Sequence, residues 1–309
     1  MIAAPAAGVR ASSPAASRTR RRIHLPGDAA FLIPAGIFLA ALSFYPFIEL
    51  VRMSVSEVTT DNLFRSWPFT GWHGLQTVIA TADFHEASLN TVAYVAVVVF
   101  IGLGGGLAAA VTLWHGGRLG GAVLAVMVFG WALPGLISGV AWRFLLDSRG
   151  PVDSLLSLFG GPPVYWLVDG HLPLVSVALV NAWSVVPFAT IVFRAALLDI
   201  SPEVLACATV DGARSWHRFR FIVLPLLRPV ILVLGLLTLV YAFKSFDFIY
   251  IMTHGGPGTI STTLPFLSYR IAFELFKYSQ GAAVALVTVL VVVLLALLYL
   301  RQLRHEQRA

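Results

Sequence analysis

Six long, almost uncharged apolar runs constrain this chain more than any other feature. They span roughly Ala30 to Val55, Asn90 to Trp114, Leu119 to Leu146, Leu172 to Leu197, Val223 to Phe246 and Ala282 to Leu300. A bilayer core of about 30 Å is crossed by about 20 helical residues, so each run is long enough to span it. In lipid the backbone must satisfy its own hydrogen bonds, which a helix does. A barrel strand needs only about ten residues of alternating polarity, whereas these runs are longer and continuously apolar. The expected fold class is therefore an all-α membrane protein with six transmembrane helices. Composition agrees: 58% of the 309 residues are hydrophobic and 12% charged, and the mean hydropathy is +0.84. A water-soluble enzyme of this length would need far more polar surface.

The basic balance (net charge +6) is read through its location. With the N-terminus in the cytoplasm, the inner segments hold 14 of the 21 Lys and Arg residues and 5 of the 15 acids. This is the positive-inside pattern, and an even number of spans puts both termini inside. The charge thus points to a bilayer and not to nucleic acid. Residues 1–27 read as a disordered basic cytoplasmic tail, 28–301 as the six-span domain and 302–309 as a second cytoplasmic tail. A cleaved signal peptide is not expected, because the apolar run after the arginines is too long. The single cysteine, Cys207, excludes an intrachain disulfide and a cysteine-built metal site.

Gly102 and Gly106 in the second run, and Gly135 and Gly139 in the third, have the G-x-x-x-G spacing that lets helices approach closely. Pro46, Pro134, Pro187 and Pro229 are expected to kink spans without ending them. The outer segments 56–89 and 147–171 carry interfacial aromatics and Gly/Pro turns.

One inner segment, residues 200–229, is too polar for its neighbours, and the loop it forms is placed at about 198–226. Ser201, Pro202 and Glu203 form a helix start. Val204, Leu205 and Ala208 give a short apolar face, and Asp211 and Gly212 break it. A second amphipathic helix follows with Trp216 and Phe219 set against Arg214, Arg218 and Arg220, of which Arg218 and Arg220 are expected to stay solvated, and Pro225 marks its end. Physical chemistry leaves two readings open: an interfacial segment on anionic lipid, or a docking element for a cytoplasmic partner.

At these residues the chain resembles the permease subunits of bacterial ATP-binding-cassette importers. Ile200, Glu203, Ala208, Asp211, Gly212, Ala213, Trp216, Phe219, Ile222, Leu224, Pro225 and Pro229 fall on that family's cytoplasmic coupling-loop pattern between spans four and five. The family's motif glutamate falls on Ala206 and its first alanine on Cys207, a departure that Glu203, one turn earlier, is a candidate to offset. Trp183 and Pro187, the run Phe246, Asp247, Ile249, Tyr250, Thr253, Gly255, Gly256, Pro257, Gly258, and later Tyr269 and Phe273 resemble the carbohydrate-uptake branch.

The resemblance implies a membrane subunit, in the bacterial inner membrane, of an ATP-driven importer for a sugar or related polyol. It implies as partners a second permease subunit in a heterodimer, two cytoplasmic ATPase subunits and an extracytoplasmic solute-binding protein. It implies that this chain binds no cofactor of its own, ATP and Mg being used by the partner ATPase. In agreement, neither lysine (Lys244 or Lys277) stands in a G-x-x-x-x-G-K-[ST] phosphate loop. The eight histidines show no metal-ligand spacing, so no metal site is expected. Costly polar groups within spans nominate Asn181, Trp183, Ser184, Lys244 and Asp247 for a solute pathway. For Asn181 an interhelical hydrogen bond, and for Lys244 and Asp247 a structural ion pair, are the plainer alternatives. Rival functions are a permease for a non-sugar solute, a secondary transporter, which would place ionisable groups mid-span, or a membrane enzyme with a lipid-binding loop.

Overall fold

A computed structural model describes residues 28–306; the proposed tail 1–27 and residues 307–309 lie outside the described residues. The chain divides into two units, 1–47 and 48–309. Helix α1 (Asp28–Ser54) begins in the first, with Pro34 and Pro46 inside it.

In the second unit, α2 (His73–Ile79) leads into α3 (Ala82–Thr112), and α4 (Gly117–Trp131) is followed by α5 (Gly135–Leu145) and α6 (Pro151–Leu158). The long α7 (Leu172–Leu198) precedes a hairpin of α8 (Pro202–Val210) and α9 (Ser215–Arg218). A π turn over Phe219–Val223 joins α9 to α10 (Leu224–Lys244). The short α11 (Asp247–Met252) and α12 (Leu264–Tyr269) come before α13 (Tyr278–Glu306). Helix α13 thus continues through residues 302–306 of the expected tail.

Five helices are long and apolar enough to cross a membrane: Ile33–Ser54, Ala82–Thr112, Leu172–Leu198, Ser215–Lys244 and Tyr278–Tyr299. The pair α4 and α5 makes a sixth if counted as one broken span, because they meet at 100°. This corrects the expected mere kink in the third run. Pro134 has left the helical region (φ −55°, ψ 140°). A proline there removes one backbone donor and pushes the residue before it out of the α region. Pro187 and Pro229, by contrast, remain inside α7 and α10. Pro225 is a second correction. It does not end a helix but lies in the first turn of α10, directly after the π turn, so the helical passage runs from Ser215 to Lys244.

The centre of the unit is the contact between α3 and α7, and glycine makes it possible. A Cβ on Gly106 would stand 2.4 Å from the Ala189 Cβ, and one on Gly102 would stand 2.9 Å from Val185 Cγ1. Val177, Ala178, Ala189, Phe193 and Leu197 of α7 are buried around this seam with Tyr94, Val98 and Ala110 of α3. The second G-x-x-x-G also marks a contact. Gly135 lies against Asp247, and a Cβ on Gly139 would stand 3.3 Å from Ile251 Cγ2, so α5 packs along α11 in parallel.

On the side where α13 begins, polar side chains tie the irregular segments together. Asn90 Nδ2 donates to the carbonyls of Thr259 (3.2 Å) and Thr262 (3.1 Å). Ser279 Oγ donates to the Ser56 carbonyl (2.7 Å) and accepts from the Val58 amide (2.7 Å). Arg270 pairs with Asp83 at 3.1 Å.

The glycine seam yields a controlled test. Gly106→Val must push α3 and α7 apart and should cost about 1–3 kcal/mol, the usual cost of overpacking. Gly104→Val, on the same helix but facing open space, should stay within about 0.5 kcal/mol. Unfolding midpoints of the two purified variants in detergent check the difference.

Candidate functional site

Two features bear on function: the α8–α9 hairpin and a cavity at the break between α4 and α5. The hairpin starts where α7 ends, after Asp199–Ser201. Pro202 sits in the first turn of α8. The Ser201 hydroxyl donates to the Glu203 carboxylate. This bond, with one from the backbone, holds the exposed carboxyl below its ordinary range. Such a lowered carboxyl favours the helix start at neutral pH, and that contribution is lost as pH falls through the folded value. Glu203 therefore serves the first turn of α8, while Ala206 and Cys207, one turn on, are exposed.

The end of α8 explains why the sequence reads Asp211-Gly212-Ala213. The Ala213 amide donates to the Ala208 carbonyl (2.9 Å) and the Gly212 amide to the Thr209 carbonyl (3.0 Å). These are the paired bonds of a Schellman cap. The cap needs a left-handed residue, and Gly212 has φ +80°. Ala208 is buried against this turn. Beyond it, Trp216 is 67% exposed and stands 5.7 Å from the Phe219 ring, while Phe219 packs against the core. Arg218, expected to stay solvated, is half-exposed, and its Nη1 donates to Thr209 Oγ1 at 2.7 Å and clips α9 to α8.

The cavity has a volume of about 270 Å³ and lies among α4, α5, α7, α10 and α11. Trp131, Phe188, Tyr241 and Phe248 supply rings, and Ser138, Ser184 and Thr238 supply hydroxyls. Trp131 stacks on Phe188 with centroids 5.7 Å apart. Of the five pathway residues expected from sequence, Ser184 lines the cavity. Asp247 lies beside Gly135 at its edge, and Trp183 packs edge-on against Trp142, 5.4 Å away, and next to Gly130.

Asn181 takes its plainer alternative. It is fully buried, and its Nδ2 donates to Tyr94 Oη (2.7 Å) and Ser245 Oγ (2.8 Å), joining α3, α7 and the end of α10. Ser184 Oγ donates to the Asn181 carbonyl (2.7 Å), so this hub supports the cavity wall. Lys244 faces elsewhere, into an apolar groove with Ser268, Thr288 and Val292, and no ion pair joins it to Asp247 among the described residues. Sequence reasoning missed Phe188, Thr238, Tyr241 and Phe248. Phe188 was within reach, four residues after Ser184 and hence on the same face of α7.

A long-helix bundle with a broken span, an inner cavity and a capped helical hairpin between two of its long helices defines a multispan membrane transport subunit. The chain belongs to the family described as binding-protein-dependent transport system inner membrane component, whose model matches residues 101–309. It is 31% identical over 235 residues to the trehalose/maltose transport system permease protein MalF of Thermococcus litoralis, covering 76% of this chain and 79% of that one. The diacetylchitobiose uptake system permease DasB of Streptomyces coelicolor is 27% identical over 276 residues, covering 87% of this chain and 84% of that one. In fold, the chain is similar to a subunit of a bacterial ABC transporter involved in the import of the acidic polysaccharide alginate. The TM-score is 0.78 at 23% identity, with 90% of this chain and 94% of that chain covered.

The buried hub is open to test. Asn181→Leu keeps the bulk but leaves Tyr94 and Ser245 facing an apolar side chain, and should cost about 1–3 kcal/mol. Ser184→Ala should cost less than about 1 kcal/mol. Denaturant titration of both variants against the parent reads the difference.

Proposed function

We propose that this chain is the membrane-spanning permease subunit of an ATP-driven importer that passes a sugar or related polyol, delivered by an extracytoplasmic solute-binding protein. The observation that carries the solute class is the cavity of aromatic rings and hydroxyls at the α4–α5 break. Sugars present apolar faces to rings and hydroxyl edges to polar groups, and this lining offers both. The names of the trehalose/maltose and diacetylchitobiose relatives support the same class.

In this reading both termini and the α8–α9 hairpin face the cytoplasm, in line with the positive-inside distribution. The hairpin engages a separate ATPase subunit, one of two, which uses ATP and Mg; this chain carries no catalytic residue and holds no cofactor or metal. A second, similar permease completes a heterodimer in the inner membrane, with no role for nucleic acid. Glu203, Ala206, Cys207, Asp211 and Trp216 present the exposed docking side of the hairpin. Ala208, Gly212, Ala213 and Phe219 shape it and fix it to the core. ATP-driven closure of the ATPase pair displaces the hairpin and biases the bundle between two openings.

Gly212→Pro tests the coupling role, because proline cannot adopt φ +80° and removes the amide that bonds Thr209. Solute uptake by cells carrying the whole importer should be lost, while capture of the binding protein by the purified complex is kept. Uptake at the parental rate would exclude the hairpin as the coupling element. The cavity has its own test. Tyr241→Ala should reduce uptake at least about tenfold, the scale of one lost ring contact with its hydrogen bond.

A further inference from the structure

A second cavity, of about 340 Å³, is lined among others by Arg143, Asp147, Ser148, Tyr165, Trp166 and Thr253. Its place follows from the α5–α11 contact. These helices run side by side, Gly135 against Asp247 and Gly139 against Ile251. Gly135, Ser138 and Phe248, toward their starts, line the first cavity. Arg143, Leu146 and Met252, at their ends, line the second. From Ser138 to Arg143 is five residues, or about 8 Å of helix rise. One helix pair therefore separates the two cavities, and the proposed topology puts the second on the outer side.

The second lining mixes rings with charge and hydroxyls. Tyr165 is 51% exposed. Asp147 uses Oδ1 to accept from Ser148 Oγ (3.2 Å) and the Arg149 amide (3.4 Å). Arg143 is anchored by one nitrogen, Nη1, on the Ile251 carbonyl (3.0 Å). Ser176 Oγ fixes the Trp166 main chain (3.0 Å). The wall is thus preorganised before a ligand arrives. A guanidinium and a carboxylate in one lining with two rings match the hydroxyl edges and apolar faces of a hexose.

We infer that this outer cavity is a second saccharide subsite, which holds the solute after its release from the binding protein and before it enters the inner cavity. The inference rests on the proposed solute class. Its test uses the complete importer with its binding protein and labelled maltose, trehalose and N,N′-diacetylchitobiose. The combined Asp147→Asn and Tyr165→Phe substitutions keep the side-chain shapes and remove the carboxylate charge and the phenol hydroxyl. With whichever sugar the parent imports, the half-saturating concentration should rise about tenfold, well beyond any change in maximal rate, as expected for two lost hydrogen bonds. Capture of the unloaded binding protein should match the parent. Half-saturation within about twofold of the parent overturns the subsite while leaving the solute class standing. Loss of unloaded binding-protein capture overturns it in favour of a protein-docking role. Import of none of the three sugars by the parent overturns the inference together with the reading it rests on.

Discussion

Everything else in this unit depends on how closely α3 and α7 approach. In a bilayer, lipid tails are as apolar as leucine, so helices gain little by hiding apolar surface from one another. What holds them is contact and hydrogen bonding, and both need short distances. Glycine at 102 and 106 lets α7 lie against the α3 backbone, where any side chain would collide with Val185 or Ala189. About two turns along α3 from Gly102, Tyr94 reaches Asn181 at 2.7 Å. Such a bond would fail if the seam were wider. The seam thus fixes α7, and α7 presents Ser184 and Phe188 to the cavity.

Where the helices break is equally informative. Backbone freed from a helix at membrane depth survives only when buried in protein or lining a cavity. The α4–α5 break meets this requirement directly, since Leu133 and Gly135 line the inner cavity. The α10–α11 break meets it by a different route. Ser245, at the end of α10, is held by Asn181 and Tyr94. Asp247 and Phe248 follow at once, beside Gly135 and on the cavity wall. Both interruptions therefore converge on one place, the wall of the inner cavity.

The fold class and the ends of most spans were legible in the sequence because hydropathy reports the solvent, and the solvent dictates helices. The hairpin was legible because Ser201-Pro202-Glu203 and Asp211-Gly212 act locally: a helix start and a left-handed cap need no distant partner. The break at Pro134 was harder, because Pro187 and Pro229 carry the same local signal and stay helical. At Pro187, buried inside α7, neighbouring helices hold the helix together. The site was only half legible for a related reason. Polarity marked Asn181 and Lys244 as costly within a span, but it could not say which face each would take. Asn181 turned to α3 and Ser245, and Lys244 to the groove beside α13. The rings that line the cavity, Phe188, Tyr241 and Phe248, look like any other apolar residue in a sequence this greasy.

The connections of the hairpin give the proposed coupling a mechanical basis. Its first arm follows α7 after three residues, and its second arm continues through the π turn into α10. Helices α7 and α10 line two sides of the inner cavity through Ser184 and Phe188 on one and Thr238 and Tyr241 on the other. A helix transmits displacement along its axis, because its hydrogen bonds run in that direction. The π turn is the one irregular stretch in the helical run from Ser215 to Lys244, and such turns are frequently found at functional positions. A force on the hairpin therefore reaches the cavity by two paths of unequal stiffness. Helix α7 is locked to α3 by the glycine seam and the Asn181 hub. The α10 path contains the π turn and, at its far end, the break at Ser245. In the proposed coupling, the α10 path is therefore the more compliant of the two, with α10 as the candidate moving wall and α7, held at the seam and the hub, as the fixed one.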